Sequence, residues 1–182
     1  MYYNELSAFL HENYPNLMLI PFPVMDMVFE ERVKQKCFHC KNYGTKWTCP
    51  HLPNVDYPKM FHEYDNAAVI IYKACVTAEN VETQRQQKTN IIHKALLSLE
   101  KYLYDHNNCM AISFIGGSCK LCKNGRNKEK CANPYLSRMP WEATGQFYSI
   151  IKEGWYRGQF PDKRHIIQVW IITFFTINLA MI

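Results

Sequence analysis

Six cysteines with one repeated spacing are the residues of this chain that point most clearly to chemistry. The pattern C-x2-C-x8-C occurs in CFHCKNYGTKWTCP, residues 37–50, and again in CKLCKNGRNKEKC, residues 119–131. A C-x2-C turn places two thiolates on the same side of a tight backbone loop, so both can reach one metal ion. Two identical patterns in 182 residues are improbable by chance. The sequence therefore predicts a metal site built from Cys37, Cys40, Cys49, Cys119, Cys122 and Cys131.

The identity of the metal is less constrained than its ligands. Iron–sulfur clusters are held by cysteine thiolates, often with a proline after a ligating cysteine, and Pro50 follows Cys49. A structural zinc site needs four ligands. The two C-x2-C pairs could together form one four-cysteine site. Alternatively, each loop could form its own site from three cysteines and one histidine. His51 is the candidate histidine, whereas His39 is expected to face solvent. The ligand type favours an iron–sulfur cluster, [4Fe-4S] first, with zinc as the alternative.

The other reading of these cysteines is a pair of redox dithiols or plain structural cysteines. Cys75 and Cys109 lie in apolar stretches and are expected to be buried as small hydrophobic side chains. The sequence contains no G-x-S-x-G, no H-E-x-x-H and no P-loop, so nothing in it indicates the common hydrolytic machinery.

Composition and charge place the chain among ordinary globular proteins. Hydrophobic residues make up 48 % and charged residues 20 %, and the length predicts one domain over residues 1–182. The net charge of +5 is modest for a dedicated nucleic-acid binder, so nucleic acid is not the expected partner. The N-terminal residues lack a secretory signal, and C-x2-C pairs in such a chain indicate a metal or redox site in the reducing cytoplasm.

Many of the cations lie in or beside the two cysteine loops. Such cations lower cysteine pKa values and offset the negative charge of a thiolate cluster, although exposed loops are often charged for no other reason. The cations are Arg32, Lys34, Lys36, Lys41 and Lys46 at the first loop, and Lys120, Lys123, Arg126, Lys128 and Lys130 at the second.

Alternating helical and strand patterns must position these loops. Helical spacing covers about residues 4–13, 57–64 and 80–104, and apolar runs predict strands at 17–22, 67–76 and 109–115. Residues 24–33 are expected to be extended, and a longer helix is expected from Trp141, because Pro140 suits its first turn. This order predicts an α+β fold: a mixed or antiparallel sheet, helices packed mainly on one face, and two cysteine-rich metal loops.

The apolar stretch at residues 166–182 has two interpretations. A membrane-spanning helix needs roughly 20 apolar residues, and this stretch has 17 with four polar interruptions. Its content is β-branched and aromatic, which favours a strand. The sequence therefore predicts a final buried strand that begins near His165, and no membrane segment.

Three segments together resemble the DUF2284 family of predicted metal-binding proteins. They are CFHCKNYGTKWTCP, then GSCKLC with the later CANP, and RMPWEATG at residues 138–145, which is similar to the family's R-P-S-M-E-A-x-G. The resemblance implies a cytoplasmic protein with a bound metal and extends from about residue 20 to the final strand. The chain departs from the family pattern at Gly125, where many members have another cysteine, and at Pro140 and Trp141, which replace Ser-Met.

Three functions fit these observations. The favoured one is an iron–sulfur protein with a redox, electron-transfer or accessory role that works with a redox protein partner. The second is a zinc-stapled interaction module whose basic loops touch nucleic acid. The third is a metalloenzyme with an open coordination position that activates a small substrate.

Overall fold

The computed structural model describes residues 2–49, 55–72, 81–107, 109–122, 131–146 and 169–175. The helices are α1 (Tyr2–Asn13), α2 (Glu31–Phe38), α3 (Tyr57–His62) and α4 (Val81–Asn107), with 3-10 helices at Val24–Asp26 and Trp141–Thr144. The strands are β1 (Leu17–Phe22), β2 (Ala67–Tyr72), β3 (Ala111–Ile115), β4 (Met139–Pro140) and β5 (Val169–Phe175).

The five strands form one mixed sheet in the order β1-β2-β5-β3-β4. Every neighbouring pair is antiparallel except β3 and β4, which run parallel. The last strand along the chain therefore lies near the middle of the sheet, with Ile70 of β2 opposite Ile171 of β5. The α+β fold class predicted from the sequence is confirmed.

The sheet is covered on both faces, and β2 shows why its sequence is apolar throughout. All six residues of β2 are buried. Ile70 packs into a core with α1 and α4, whereas Val69 and Ile71 pack into a second core with α3 and Trp141. The two long helices share one face, as predicted, and short helical segments cover the other. A strand buried on both faces loses the alternation of apolar and polar residues that a one-sided strand shows.

Residues 24–33 are the first place where the prediction is wrong in part. They are not one extended arm, because Val24–Asp26 is a 3-10 helix and α2 begins at Glu31 after the extended residue Glu30. Val33 is the only buried residue of α2. A helix of eight residues with a single buried side chain shows almost no apolar period, so the sequence pattern could not reveal it.

The predicted helix from Trp141 is also corrected. It is a 3-10 helix that stops at Thr144, because Gly145 adopts a left-handed φ of 84°. Gln146 then forms an isolated antiparallel bridge with Phe29. The continuation that was predicted beyond this point lies outside the described residues.

The final strand is confirmed over Val169–Phe175, and its predicted beginning at His165 lies outside the described part of the chain. Within that part, no helix is both long enough and apolar enough to cross a membrane. The expectation of one domain over residues 1–182 stays a prediction.

Candidate metal centre

The first cysteine loop begins on a helix. Cys37 belongs to the last turn of α2, and the Cys40 N–H donates to the Cys37 carbonyl at 3.0 Å. The chain turns again where the Tyr43 N–H donates to the Cys40 carbonyl at 2.9 Å, and Gly44 follows with a φ of 64°. Two successive tight turns fold the loop back, so that the C-x2-C pair and Cys49 occupy one compact segment.

Two thiols of this loop, Cys37 and Cys49, have raised pKa values, to which neighbouring thiols contribute. Burial raises the pKa of Cys49 to about 11, and the neighbouring Cys37 and Cys40 also raise it, against opposing effects of Thr48 and Lys46. Burial raises the pKa of Cys37 as well, with smaller contributions from Glu142 and Cys40. Without a cation these two thiols stay protonated near neutral pH, and a bound metal would displace their protons.

Two of the predicted ligand sulfurs accept hydrogen bonds from amide groups. The backbone N–H of Asn42 donates to the Cys40 sulfur at 3.5 Å. In the second loop, the side-chain amide of Asn133 donates to the Cys122 sulfur at 3.0 Å. N–H donors directed at sulfur stabilise thiolate charge and tune the potential of a cluster.

A lysine joins the two loops. The Lys46 ammonium, which lies three residues before Cys49, donates to the Ser118 hydroxyl at 3.1 Å and to the Cys119 carbonyl at 2.8 Å. The start of the second loop therefore lies directly against the first loop. The positive charge stays beside Cys49, where it favours the thiolate form.

Glu142 holds the second loop from another side. Both of its carboxylate oxygens accept a hydrogen bond from the Gly117 N–H, at 3.1 and 3.0 Å. Gly117 has a left-handed backbone with a φ of 74°. The same carboxylate influences Cys37. One acidic side chain of the 3-10 helix thus lies in the neighbourhood of both cysteine loops.

Close packing between α2 and the 3-10 helix Trp141–Thr144 determines the position of Glu142. The Glu30 N–H donates to the Gly145 carbonyl at 2.7 Å. A Cβ atom at Gly145 would lie 2.7 Å from Cε of Lys34, so the lysine stem lies in the space that a side chain would need. Glycine at this position both permits the left-handed backbone and lets α2 approach.

A partly buried ion pair anchors the segment that follows the second loop. Arg138 pairs with both carboxylate oxygens of Glu100 on α4, and Ser113 of β3 donates to the same carboxylate. The ring nitrogen Nε2 of His93 donates to the Leu136 carbonyl at 2.8 Å. The chain after Cys131 is therefore attached to α4 at two points.

The predicted ligands differ in their solvent exposure and in their surroundings. Cys40 is exposed, and the other five predicted cysteine ligands are partly exposed. Cys119 also contacts the α1–α4 core, and His51 lies outside the described residues. Within the described ranges, no three Cys, His, Asp or Glu side chains are grouped closely enough to hold a metal ion as they stand. The assignment of the six cysteines as ligands stays a prediction.

The cysteines and histidine that were not predicted as ligands lie as follows. Cys109 is buried in the α1–α4 core, as predicted, and Cys75 lies outside the described residues. His39 is exposed, as predicted.

Sequence reasoning missed three polar residues that surround the loops: Lys46 as the link between them, Glu142 at Gly117, and Asn133 at Cys122. A signal existed for Glu142, which stands in the segment RMPWEATG, and for Asn133, which lies two residues after Cys131. Lys46 was visible only as one cation among many, because its contact spans 73 positions of the sequence.

The residues present fit a thiophilic metal by the chemistry of their donors. The six cysteines of the two loops are all free thiols, and the loops bring amide donors and a lysine ammonium to the sulfurs of Cys40, Cys122 and Cys49. Carboxylate and carbonyl oxygens, which hard cations prefer, do not dominate these surroundings.

Comparisons with known proteins agree with this chemistry. A family model described as a predicted metal-binding protein, DUF2284, matches residues 21–172. Searches of curated proteins and of solved structures gave no match. The matched region contains both cysteine loops, the Arg138–Gly145 segment and part of β5, so the chain belongs to the DUF2284 family of predicted metal-binding proteins.

Proposed function

We propose that this protein is a cytoplasmic iron–sulfur protein with a redox or electron-transfer role. Cys37, Cys40 and Cys49 are the proposed principal ligands, and the second loop supplies the remaining contact. The observation that carries the proposal is the short loop of residues 37–49, in which successive tight turns bring these three cysteines into one compact segment. Family membership supports the metal, and the all-cysteine donor set supports iron–sulfur over a hard cation.

A cluster at this position would supply one-electron redox chemistry. The chain's own residues would set the conditions for it. The Asn42 and Asn133 amides would donate to ligand sulfurs, and the Lys46 ammonium would offset the negative charge of the thiolates. Burial of Cys49 would limit the access of water to one side of the group.

Metal and sulfide analysis on protein purified without oxygen tests the proposal directly. We expect iron and acid-labile sulfide in near-equal amounts and a broad visible absorption that oxygen bleaches. The Cys40→Ser variant should lose most of the iron, whereas Cys109→Ala should keep it, because Cys109 lies in the apolar core. A colourless protein without sulfide would refute the iron–sulfur assignment.

The Cys122→Ser variant then distinguishes one site from two. If the loops share a site, this variant and Cys40→Ser should each lose all of the metal. If each loop holds its own metal, each variant should lose about half.

The contact between the loops through Lys46 also favours a second candidate, a zinc site that staples the two loops together. Two C-x2-C pairs brought side by side would give four thiolates, which is a complete structural zinc site. This candidate predicts stoichiometric zinc and loss of folded structure when a chelator removes it.

A further inference from the structure

The first cysteine loop presents large aromatic side chains to solvent. Phe38 is 55 % exposed and Trp47 is 52 % exposed, and the ring of Tyr43 lies 5.1 Å from that of Phe38. Lys36 and Lys41, both exposed, occupy the same stretch of chain. We call these five residues the aromatic–basic face.

Exposed aromatic side chains also occur at Tyr104 and Tyr135, but in this loop two of them, Phe38 and Tyr43, contact each other. The rings of Phe61, Phe114 and Trp141 contact one another in tilted and edge-to-face arrangements within the second core and are fully buried. The tilted ring pair of Phe38 and Tyr43 lies instead at the surface. Aromatic side chains are enriched at the centres of protein interfaces, where a few such residues supply most of the binding energy.

The charge of this stretch has one sign. Residues 32–49 contain five cations and no Asp or Glu. Arg32 pairs with Glu30 and Lys34 with Glu31, while Lys46 is committed to the second loop. Lys36 and Lys41 have no ion-pair partner among the described residues, so their charges are available to a partner.

We propose that the aromatic–basic face docks an acidic protein of the electron-carrier class. The inference rests on the proposed redox function, because the face lies on the loop that carries Cys37, Cys40 and Cys49. Complementary charge would steer the carrier to this loop, and the exposed rings would fill apolar positions between its carboxylates. A partner docked here approaches the cysteine loop without crossing the body of the protein.

Titration calorimetry on the intact metal-loaded protein provides the test. The probes are a small acidic flavodoxin and a small acidic [2Fe-2S] ferredoxin, each titrated at about 50 mM and about 300 mM NaCl. We expect one-to-one binding to at least one carrier, about tenfold weaker at the higher salt. The Phe38→Ala and Lys41→Glu variants should each weaken it by about tenfold or more.

Matched substitutions elsewhere control for general effects. Tyr104→Ala removes an aromatic side chain that is also exposed, and Lys94→Glu reverses an exposed lysine on α4. Both should change the affinity less than about twofold, because surface residues outside an interface contribute little to binding.

Three results would overturn the docking proposal: no binding to either carrier, equal losses in the control variants, or binding of single-stranded oligothymidylate in place of the carriers. Iron content is measured on every sample. A protein that binds a carrier but contains no iron after purification without oxygen would contradict the proposed function and leave the docking face intact. Iron-loaded protein that binds no carrier would contradict the docking face alone.

Discussion

At the scale of single residues, Lys46 links the two cysteine loops and also stands beside a thiol. Its ammonium donates to Ser118 and Cys119 across the gap between the loops and lies close enough to Cys49 to lower the pKa of that thiol. Hydrogen bonds from a charged donor contribute about 1.5–3 kcal/mol each, more than bonds between neutral groups. Lys46 is therefore the side chain on which the relative placement of the loops most depends.

Replacing the Lys46 side chain tests this link. The Lys46→Met variant keeps the stem and loses the donors, so we expect it to lower the free energy of unfolding by about 2 kcal/mol. It should also weaken metal retention against a chelator. Lys41→Met, at an exposed lysine without an ion pair among the described residues, should change the stability by less than about 0.5 kcal/mol. Equal denaturation midpoints for the two variants would contradict the link.

His93 makes the stability of the folded protein depend on pH, and the direction of this dependence follows from its pKa. Burial lowers its pKa, and its ring donates to the Leu136 carbonyl. The unfolded chain, with a histidine pKa of about 6.5, therefore takes up a proton before the folded protein does. Protonation favours the unfolded state, so this residue costs stability as the pH falls below about 6.5, by at most about 1.4 kcal/mol per pH unit.

Denaturant unfolding at about pH 7.5 and pH 5 tests this sign. The wild-type protein should lose more stability between these pH values than the His93→Gln variant, which has nothing to titrate at that position. His106→Gln, which removes an exposed histidine of the same helix, should behave like the wild type. An unchanged pH dependence in His93→Gln would show that the buried imidazole does not control the acid response.

At the scale of elements, α4 is the support to which the segment after the second loop is tied. The Arg138 and Glu100 side chains are only 17 % and 13 % exposed, so water screens their attraction weakly. Removing one member of such a pair leaves the other charge buried without its partner, which costs several kcal/mol.

The Glu100→Gln variant should therefore lower the free energy of unfolding by about 2–4 kcal/mol. The matched change is Asp105→Asn on the same helix, which breaks the Lys101–Asp105 pair at 76 % and 40 % exposure. That pair is screened by solvent, and its loss should cost less than about 0.5 kcal/mol. Similar losses in chemical denaturation of the two variants would mean that the Arg138 pair is not a structural tie.

Sequence reasoning located the elements with strong periods and missed those without one. The α4 helix and β2 were predictable, because a long apolar face and a continuous apolar run are both visible in the sequence. The α2 helix was not predictable, because Val33 is its only buried residue. The cysteine spacing singled out residues 37–49 and 119–131, but the contact of Lys46 with Ser118 and Cys119 depends on long-range packing that no local pattern encodes.

At the scale of the whole molecule, β5 is the strand that makes the sheet continuous. It pairs with β2 on one side and with β3 on the other. Residues 169–173 pair with β2 and residues 173–175 pair with β3, so Thr173 has a neighbouring strand on both sides. An edge strand such as β1 differs, because alternate N–H groups point away from the sheet, and Pro21 already occupies such a position.

Proline substitutions test this difference. Thr173→Pro should cost about 3 kcal/mol or more and abolish cooperative thermal unfolding, because this position is paired on both sides, so that a ladder hydrogen bond is lost and the ring clashes within a central strand. Leu19→Pro, two residues before Pro21, removes an N–H that points outward and should cost clearly less. A well-folded Thr173→Pro protein would show that β5 is dispensable to the sheet.

The position of β5 also sets the order of events during synthesis. About 60 residues separate the end of β3 from the end of β5, which a ribosome adds in roughly 3–12 s. Until then β2 and β3 each have an unpaired edge, although all six cysteines of the predicted site have already been translated. The nascent chain thus carries its thiols for seconds before its sheet can close, and in that interval metal delivery competes with oxidation of the thiols.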